Sequence, residues 1–90
     1  MADTYGNATV DATADVIVAN LTVRRTVLLR NNGSVPVYLG FDSSVTTTNG
    51  MPLNPQGTIE LKFGVTKRGT AIYGVTASSS TDIRYLILDQ

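Results

Sequence analysis

Few residues in this chain are able to do chemistry, and their spacing limits what they can do. Asp42 is followed by Ser43 and Ser44 in a polar stretch, an oxygen-rich cluster. A Ca²⁺ ion takes six to eight oxygen ligands, so one carboxylate in a loop is a poor start for such a site. Glu60 stands two residues before Lys62. Two residues apart on a strand means the same face, which reads as a solvated charge pair and not as a general acid. The serines have no histidine to activate them, because the chain has no histidine at all. A Ser-His-Asp site is therefore excluded. Cysteine is also absent, which removes disulfides and thiolate metal sites. Gly64 to Gly69 lacks the Gly-Lys-Ser/Thr ending of a phosphate loop. Catalytic, cofactor-binding and metal-binding residues are expected to be none.

What remains is chemistry of contact. Arg24 and Arg25 are adjacent, so on a strand they point to opposite faces. Arginine suits bidentate pairing with carboxylates at interfaces. Lys67 and Arg68 form a similar basic pair at a loop tip. Tyr38, Tyr73 and Tyr85 fall in apolar, strand-like stretches and read as core or interface residues. Asn7, Asn20 and Asn32 each begin an Asn-x-Ser/Thr triplet. The first residues, Met-Ala-Asp-Thr-Tyr-Gly, carry neither the basic nor the apolar region of a signal peptide, so those triplets have no weight as glycan sites.

Ninety residues make one domain. A chain of this size buries only about 60–65% of its unfolded surface, so binding to itself or to a partner would add useful stability. Seven basic residues balance seven acidic ones, which gives no footprint for nucleic acid. No apolar run reaches the roughly 18–20 residues that span a bilayer. No membrane and no nucleic acid are expected as partners.

The elements that must position these groups are strands. Threonine and valine are abundant, while there is one Glu, two Lys and two Gln. No window carries the i, i+3, i+4, i+7 apolar pattern of a helix. The clearest stretch is Arg25 to Phe41. Val27, Leu28 and Leu29 suit a buried pleated surface. Asn31, Asn32, Gly33 and Ser34 supply turn chemistry, and Pro36 fits the start of the next strand. Val37, Leu39 and Phe41 then alternate with Tyr38 and Gly40. The stretch predicts a hairpin. Asp15-Val-Ile-Val-Ala19 predicts a strand buried on both faces, or one crossing a subunit contact. A very short strand is predicted at Met51 to Leu53, between Asn49-Gly50 and Gln56-Gly57 turns. Thr58 to Phe63 is cleanly amphipathic, with Ile59, Leu61 and Phe63 facing one way. Strands follow at Ala71–Val75 and Ile83–Leu88. In the last, Ile83, Tyr85 and Ile87 share one side, and Leu86 and Leu88 the other.

The fold class predicted is all-β: a small antiparallel β-sandwich or jelly-roll-like barrel of seven to eight short strands. Residues 1–14 form a flexible N-terminal arm or weak first strand, and residues 15–90 a single β domain. Apolar residues on both sides of the last strand predict either a strand fully covered inside the sandwich or one whose second side meets another subunit. The candidate interface residues are Tyr5, Val10, Arg24, Arg25, Arg84, Leu86 and Leu88.

Arg-Arg-x-x-Leu-Leu-Arg-Asn-Asn-Gly-Ser-x-Pro-Val-Tyr-Leu-Gly-Phe (24–41) is followed by Asn-Gly-x-Pro-Leu-x-Pro-x-Gly (49–57), Ala-Ile-Tyr-Gly-Val-Thr-Ala (71–77) and Ile-Arg-Tyr-Leu (83–86). This pattern, over residues 22 to 88, resembles small all-β virion proteins of tailed bacteriophages. Such proteins are found among capsid decoration (cement) proteins and other small head or tail accessory proteins. The resemblance implies a non-enzymatic homotrimer on the capsid surface, made in the host cytoplasm, that bridges subunits of the major capsid protein. A tail, neck or head-fibre module is the first alternative. A virion-surface carbohydrate-binding module using residues 42–50 and 64–70 is the second.

Overall fold

The computed structural model describes residues 4–21, 25–63 and 70–89. Arg24 and the loop at 64–69, with Lys67 and Arg68, lie outside the described residues. The described chain forms eight strands: β1 (Thr4–Val10), β2 (Asp15–Leu21), β3 (Arg25–Asn31), β4 (Val37–Gly40), β5 (Met51–Leu53), β6 (Thr58–Phe63), β7 (Thr70–Val75) and β8 (Thr81–Asp89). They build two four-stranded sheets, ordered β1-β8-β3-β6 and β2-β7-β4-β5. Every ladder is antiparallel.

The pairings are nested. β1 pairs β8, β2 pairs β7, β3 pairs β6 and β4 pairs β5. The chain is thus one long hairpin with its tip at residues 41–50, rolled up until β8 meets β3 and β7 meets β4. This is the jelly-roll form of the two-sheet sandwich. It also corrects the hairpin expected over Arg25–Phe41. β3 and β4 do not pair; they lie in different sheets, and residues 32–36 carry the chain across.

The sequence shows why that crossing is stable. Asn31, at the end of β3, is fully buried. Its Nδ2 donates to the carbonyls of Val35 (2.8 Å) and Leu53 (2.9 Å). Its Oδ1 accepts from the Gly33 N–H (3.1 Å) and the Thr81 hydroxyl (2.8 Å). Its N–H donates to the Gly57 carbonyl and its own carbonyl accepts from the Gln56 N–H, at 3.0 and 2.7 Å. Every polar group of the residue is engaged, as a buried amide requires. The Gln56 N–H reaches Asn31 because Asn54–Gly57 is a tight turn closed by Gly57 N–H to Asn54 carbonyl at 2.8 Å. Pro55 sets its second position, and Gln56 takes the left-handed third position with φ of 65°.

The core lies between the sheets. Val10, Val27, Leu29, Val37 and Ile83 are fully buried at its centre. Val10 is therefore a core residue, which corrects its assignment to an interface. Of the two expectations for the N-terminal segment, the described residues form a first strand: β1 runs in unbroken register from Thr4 opposite Ile87 to Val10 opposite Thr81. β2 is irregular, with register shifts between Val16 and Val18 and between Val18 and Leu21. The first shift lets consecutive residues Ile17 and Val18 both face inward while Val16 stays 46% exposed. Both buried residues thus lie on the inner face, so burial on both faces is not found in this strand. Phe41 also departs from its expected core position. β4 ends at Gly40, and Phe41 is exposed beyond it.

The loop after Phe41 folds back over the second sheet. Val45 is buried there, and a Cβ at Gly40 would lie 2.7 Å from the Val45 Cβ. Gly40 has no side chain because Val45 fills that space. Asp42 starts the loop by accepting the Ser44 N–H at 3.0 Å.

Two stability outcomes follow. Asn31→Ala strands several buried polar groups and should remove about 3–5 kcal/mol in urea unfolding. Val45→Ala empties only the outer plug and should cost about 1–2 kcal/mol, against about 3 for Leu29→Ala.

Candidate functional site

Four register rows cross the outer face of the first sheet, and two of them are chemically distinctive. In one, Tyr5 on β1 stands opposite Leu86 on β8, which stands opposite Leu28 on β3, which stands opposite Glu60 on β6. In the next, Asn7 stands opposite Arg84, and Arg84 opposite Arg30. Side chains on alternate residues share a face, so Tyr5, Leu86 and Leu28 form an apolar row beside a basic one. Tyr5 is 82% exposed and Leu86 46%. Between these rows lies a shallow depression of about 440 Å³.

Gly6 pairs with Tyr85, and a Cβ at Gly6 would come within 2.6 Å of the Tyr85 hydroxyl. The tyrosine ring covers the glycine, which closes the inner side of the edge.

The two arginines are like charges directly opposite each other, an arrangement that destabilises a sheet unless something offsets it. Arg84 Nε donates to Asp82 Oδ2 at 2.6 Å, and Arg30 Nη2 donates to Gln56 Oε1 at 2.6 Å. Asp82 is also approached by the Asn7 and Asn32 amides, each at 3.4 Å. The Arg84 hydrogen bond, helped by these amides, holds the Asp82 carboxyl below its ordinary value of 3.8. Ser44 does the same for Asp42 through its hydroxyl and its N–H. At the β1–β2 connection, desolvation and a hydrogen bond with Asp11 raise Asp15.

Among the described residues, no three acidic side chains gather where they could hold a metal ion. Asp42 is turned to Ser44, which donates to it through both its N–H and its hydroxyl. The face sets exposed apolar groups beside two guanidinium groups.

The opposite face differs. The loop at 41–50 roofs part of it through Val45. Val16 and Met51, both exposed, lie on β2 and β5 at opposite edges of that sheet. Single exposed apolar residues of this kind are ordinary.

Of the candidate interface residues, Tyr5, Leu86 and Arg84 come together on the open face. Leu88 follows on the same side of β8, half-buried, opposite Thr26. Arg25 begins β3, opposite Phe63 and Asp89, away from the depression. Val10 is in the core, and Arg24 is outside the described residues. Leu28, Arg30 and Asn7 were missed. Leu28 was visible in principle, since three successive apolar residues on a strand must place the middle one opposite its neighbours.

No protein-family model and no curated protein matches the chain. Among solved structures, a chain from Bacillus endospore appendages, which form a novel family of disulfide-linked pili, superposes with a TM-score of 0.60 at 17% identity, covering 96% of this chain and 82% of that one. A de novo designed double-stranded β-helix superposes with a TM-score of 0.61 at 16% identity, covering 97% and 99%. At these identities the likeness shows the fold: an eight-stranded antiparallel sandwich. The chain has no cysteine, so disulfide linkage does not carry over.

The pKa directions set a test. For Asp82 the folded value is lowered, so its contribution to stability is present above 3.8 and is lost as pH falls through the folded value. Asp15 is raised, so its contribution is present below 3.8 and lost as pH rises through its folded value. A carboxyl-carbon NMR titration should place Asp82 below 3.8 and Asp15 above it, and Arg84→Gln should move Asp82 upward alone.

Proposed function

We propose that this chain is a non-enzymatic virion structural protein that decorates and stabilises a phage capsid by bridging major capsid subunits, acting as a homo-oligomer. One observation carries the structural part of the reading. The outer face of the first sheet presents Tyr5, Leu86 and Leu28 beside Arg84 and Arg30, a surface suited to protein contact. The bacteriophage part is supported by the sequence pattern of residues 24–41 and 49–57. A small domain with a thin core gains stability when binding buries such a face, because a partner that binds only the folded state shifts the equilibrium towards it. Many copies on a symmetric shell multiply weak contacts.

A second reading has an observation in its favour. The fold is shared with a chain of a pilus-forming appendage, which supports a module of a tail, neck or fibre built from repeated subunits. The two readings share the contact face and differ in where the copies sit.

Decoration is tested by cryo-EM of particles and by adding the purified protein to shells that lack it. The expected result is density over capsomer junctions and greater resistance to heat. Equal heat resistance with and without the protein would defeat the capsid reading, and density confined to the tail would replace it with the second one. Leu86→Lys should leave the melting temperature within about 3 °C, since exposed substitutions usually cost within 0.5 kcal/mol. The same variant should weaken attachment to shells by at least about tenfold, as a buried anchor does when replaced by an unpaired charge.

A further inference from the structure

A two-sheet sandwich has four edges, here β1 and β6 in one sheet and β2 and β5 in the other. An edge strand offers unpaired N–H and C=O groups to any passing strand, and proteins blunt such edges with charges, proline, bulges or short length. Three of these edges carry such a device. β6 holds Glu60 and Lys62 on its exposed side. β5 is three residues long and contains Pro52. β2 is broken by two register shifts. β1 has none of them. Its seven residues, Thr-Tyr-Gly-Asn-Ala-Thr-Val, include no charge and no proline, and their register with β8 is continuous. Among the described residues, none supplies a backbone hydrogen bond to its open side.

We infer that β1 is an assembly edge, which pairs antiparallel with β1 of a second copy of this chain about a twofold axis near Asn7. The properties of the strand select this occupant. A twofold pairing sets a strand against itself, so any charge near its centre would meet its own kind; β1 has no charge. Pairing about Asn7 places Gly6 opposite Ala8 of the second copy, so no bulky side chain of β1 opposes another on the inner side. On the outer side Tyr5 falls opposite Thr9 of the second copy, and Asn7 opposite Asn7, where two amides can hydrogen-bond. The depression beside Tyr5 and Leu86 then runs continuously across both copies. A formal net charge of zero leaves no long-range repulsion between them.

The two four-stranded sheets become one of eight strands. An even-numbered assembly results, in place of the trimer that the sequence resemblance implies. The inference concerns the chain alone and does not rest on the virion reading. A capsid decorated by trimers would defeat it and leave that reading intact.

The test is sedimentation velocity on the purified full chain from about 5 to about 500 µM, a span that brackets the weak affinities of interfaces smaller than about 1,200 Å². A monomer–dimer equilibrium is expected, with a dissociation constant on the order of 10–100 µM. The double variant Asn7→Lys, Thr9→Lys puts four ammonium groups at the junction and should weaken the dimer at least about tenfold while the melting temperature stays within about 3 °C. Thr58→Lys, on the far edge, should leave the dimer as it is. Hydrogen exchange on the unaltered chain gives an independent readout: amides of β1 should slow as concentration rises, and those of β6 should not. A monomer throughout the range, a trimer, a dimer indifferent to the β1 lysines, or protection that grows on β6 instead would each overturn the inference.

Discussion

The side chain of Asn31 fixes how the two sheets meet. Hydrophobic burial draws the sheets together but is indifferent to direction, so it does not by itself set their relative position. An amide does. Asn31 holds Leu53 of the second sheet and Thr81 of the first at the same time, and its backbone anchors the turn that carries β5 into β6. A one-residue slip of β3 would turn Leu29 outward and Leu28 inward, and would pull the amide away from all of these partners. The register that places Leu28 beside Leu86 on the open face depends on this buried polar junction. So does the left-handed backbone of Gln56, whose N–H is fastened to Asn31 and whose side chain in turn steadies Arg30.

Much of this architecture was legible in the residues. Alternation at Thr58–Phe63 identifies an exposed row of Thr58, Glu60 and Lys62 over half-buried Ile59 and Leu61, as found. Pro52 and Pro55 limit β5 to three residues. Other features were not legible, for physical reasons. Asn-Asn-Gly-Ser between two apolar runs has the chemistry of a hairpin turn, and local chemistry does not distinguish a turn within a sheet from a crossing between sheets. What decides the matter is the partner of each strand, and β3 finds β6 and β8, far away in sequence. Likewise, Val10 looks isolated among polar neighbours, yet a single inward-facing valine at the end of a strand is enough to reach the centre of the core. Phe41 keeps the period of β4, but the strand has already ended.

The contact face was partly legible for a related cause. An apolar residue on each side of β8 announces that neither side is fully solvated, which picks out Leu86 and, beside it, Arg84. Its companions Leu28 and Arg30 belong to a strand whose neighbours could not be assigned from sequence. Once β3 lies beside β8, the row assembles itself: Tyr5, Leu86, Leu28 and Glu60 are level because three ladders bring them level. The absence of histidine and cysteine was the other informative signal, since it directs attention from reactivity to surfaces.

The nested pairing of strands has a consequence for how the molecule is made. Its first strand closes against its last, so on the ribosome β1 must wait, without its neighbour, until β8 has emerged. Contacts between such distant segments form slowly because the intervening chain must first be gathered in. The innermost pair, β4 with β5, is the natural place for structure to begin, and closure then proceeds outward to the ends. During that interval an uncharged strand stands open in a crowded cell. Glycine and asparagine are poor strand formers, so β1 depends on β8 to hold it extended.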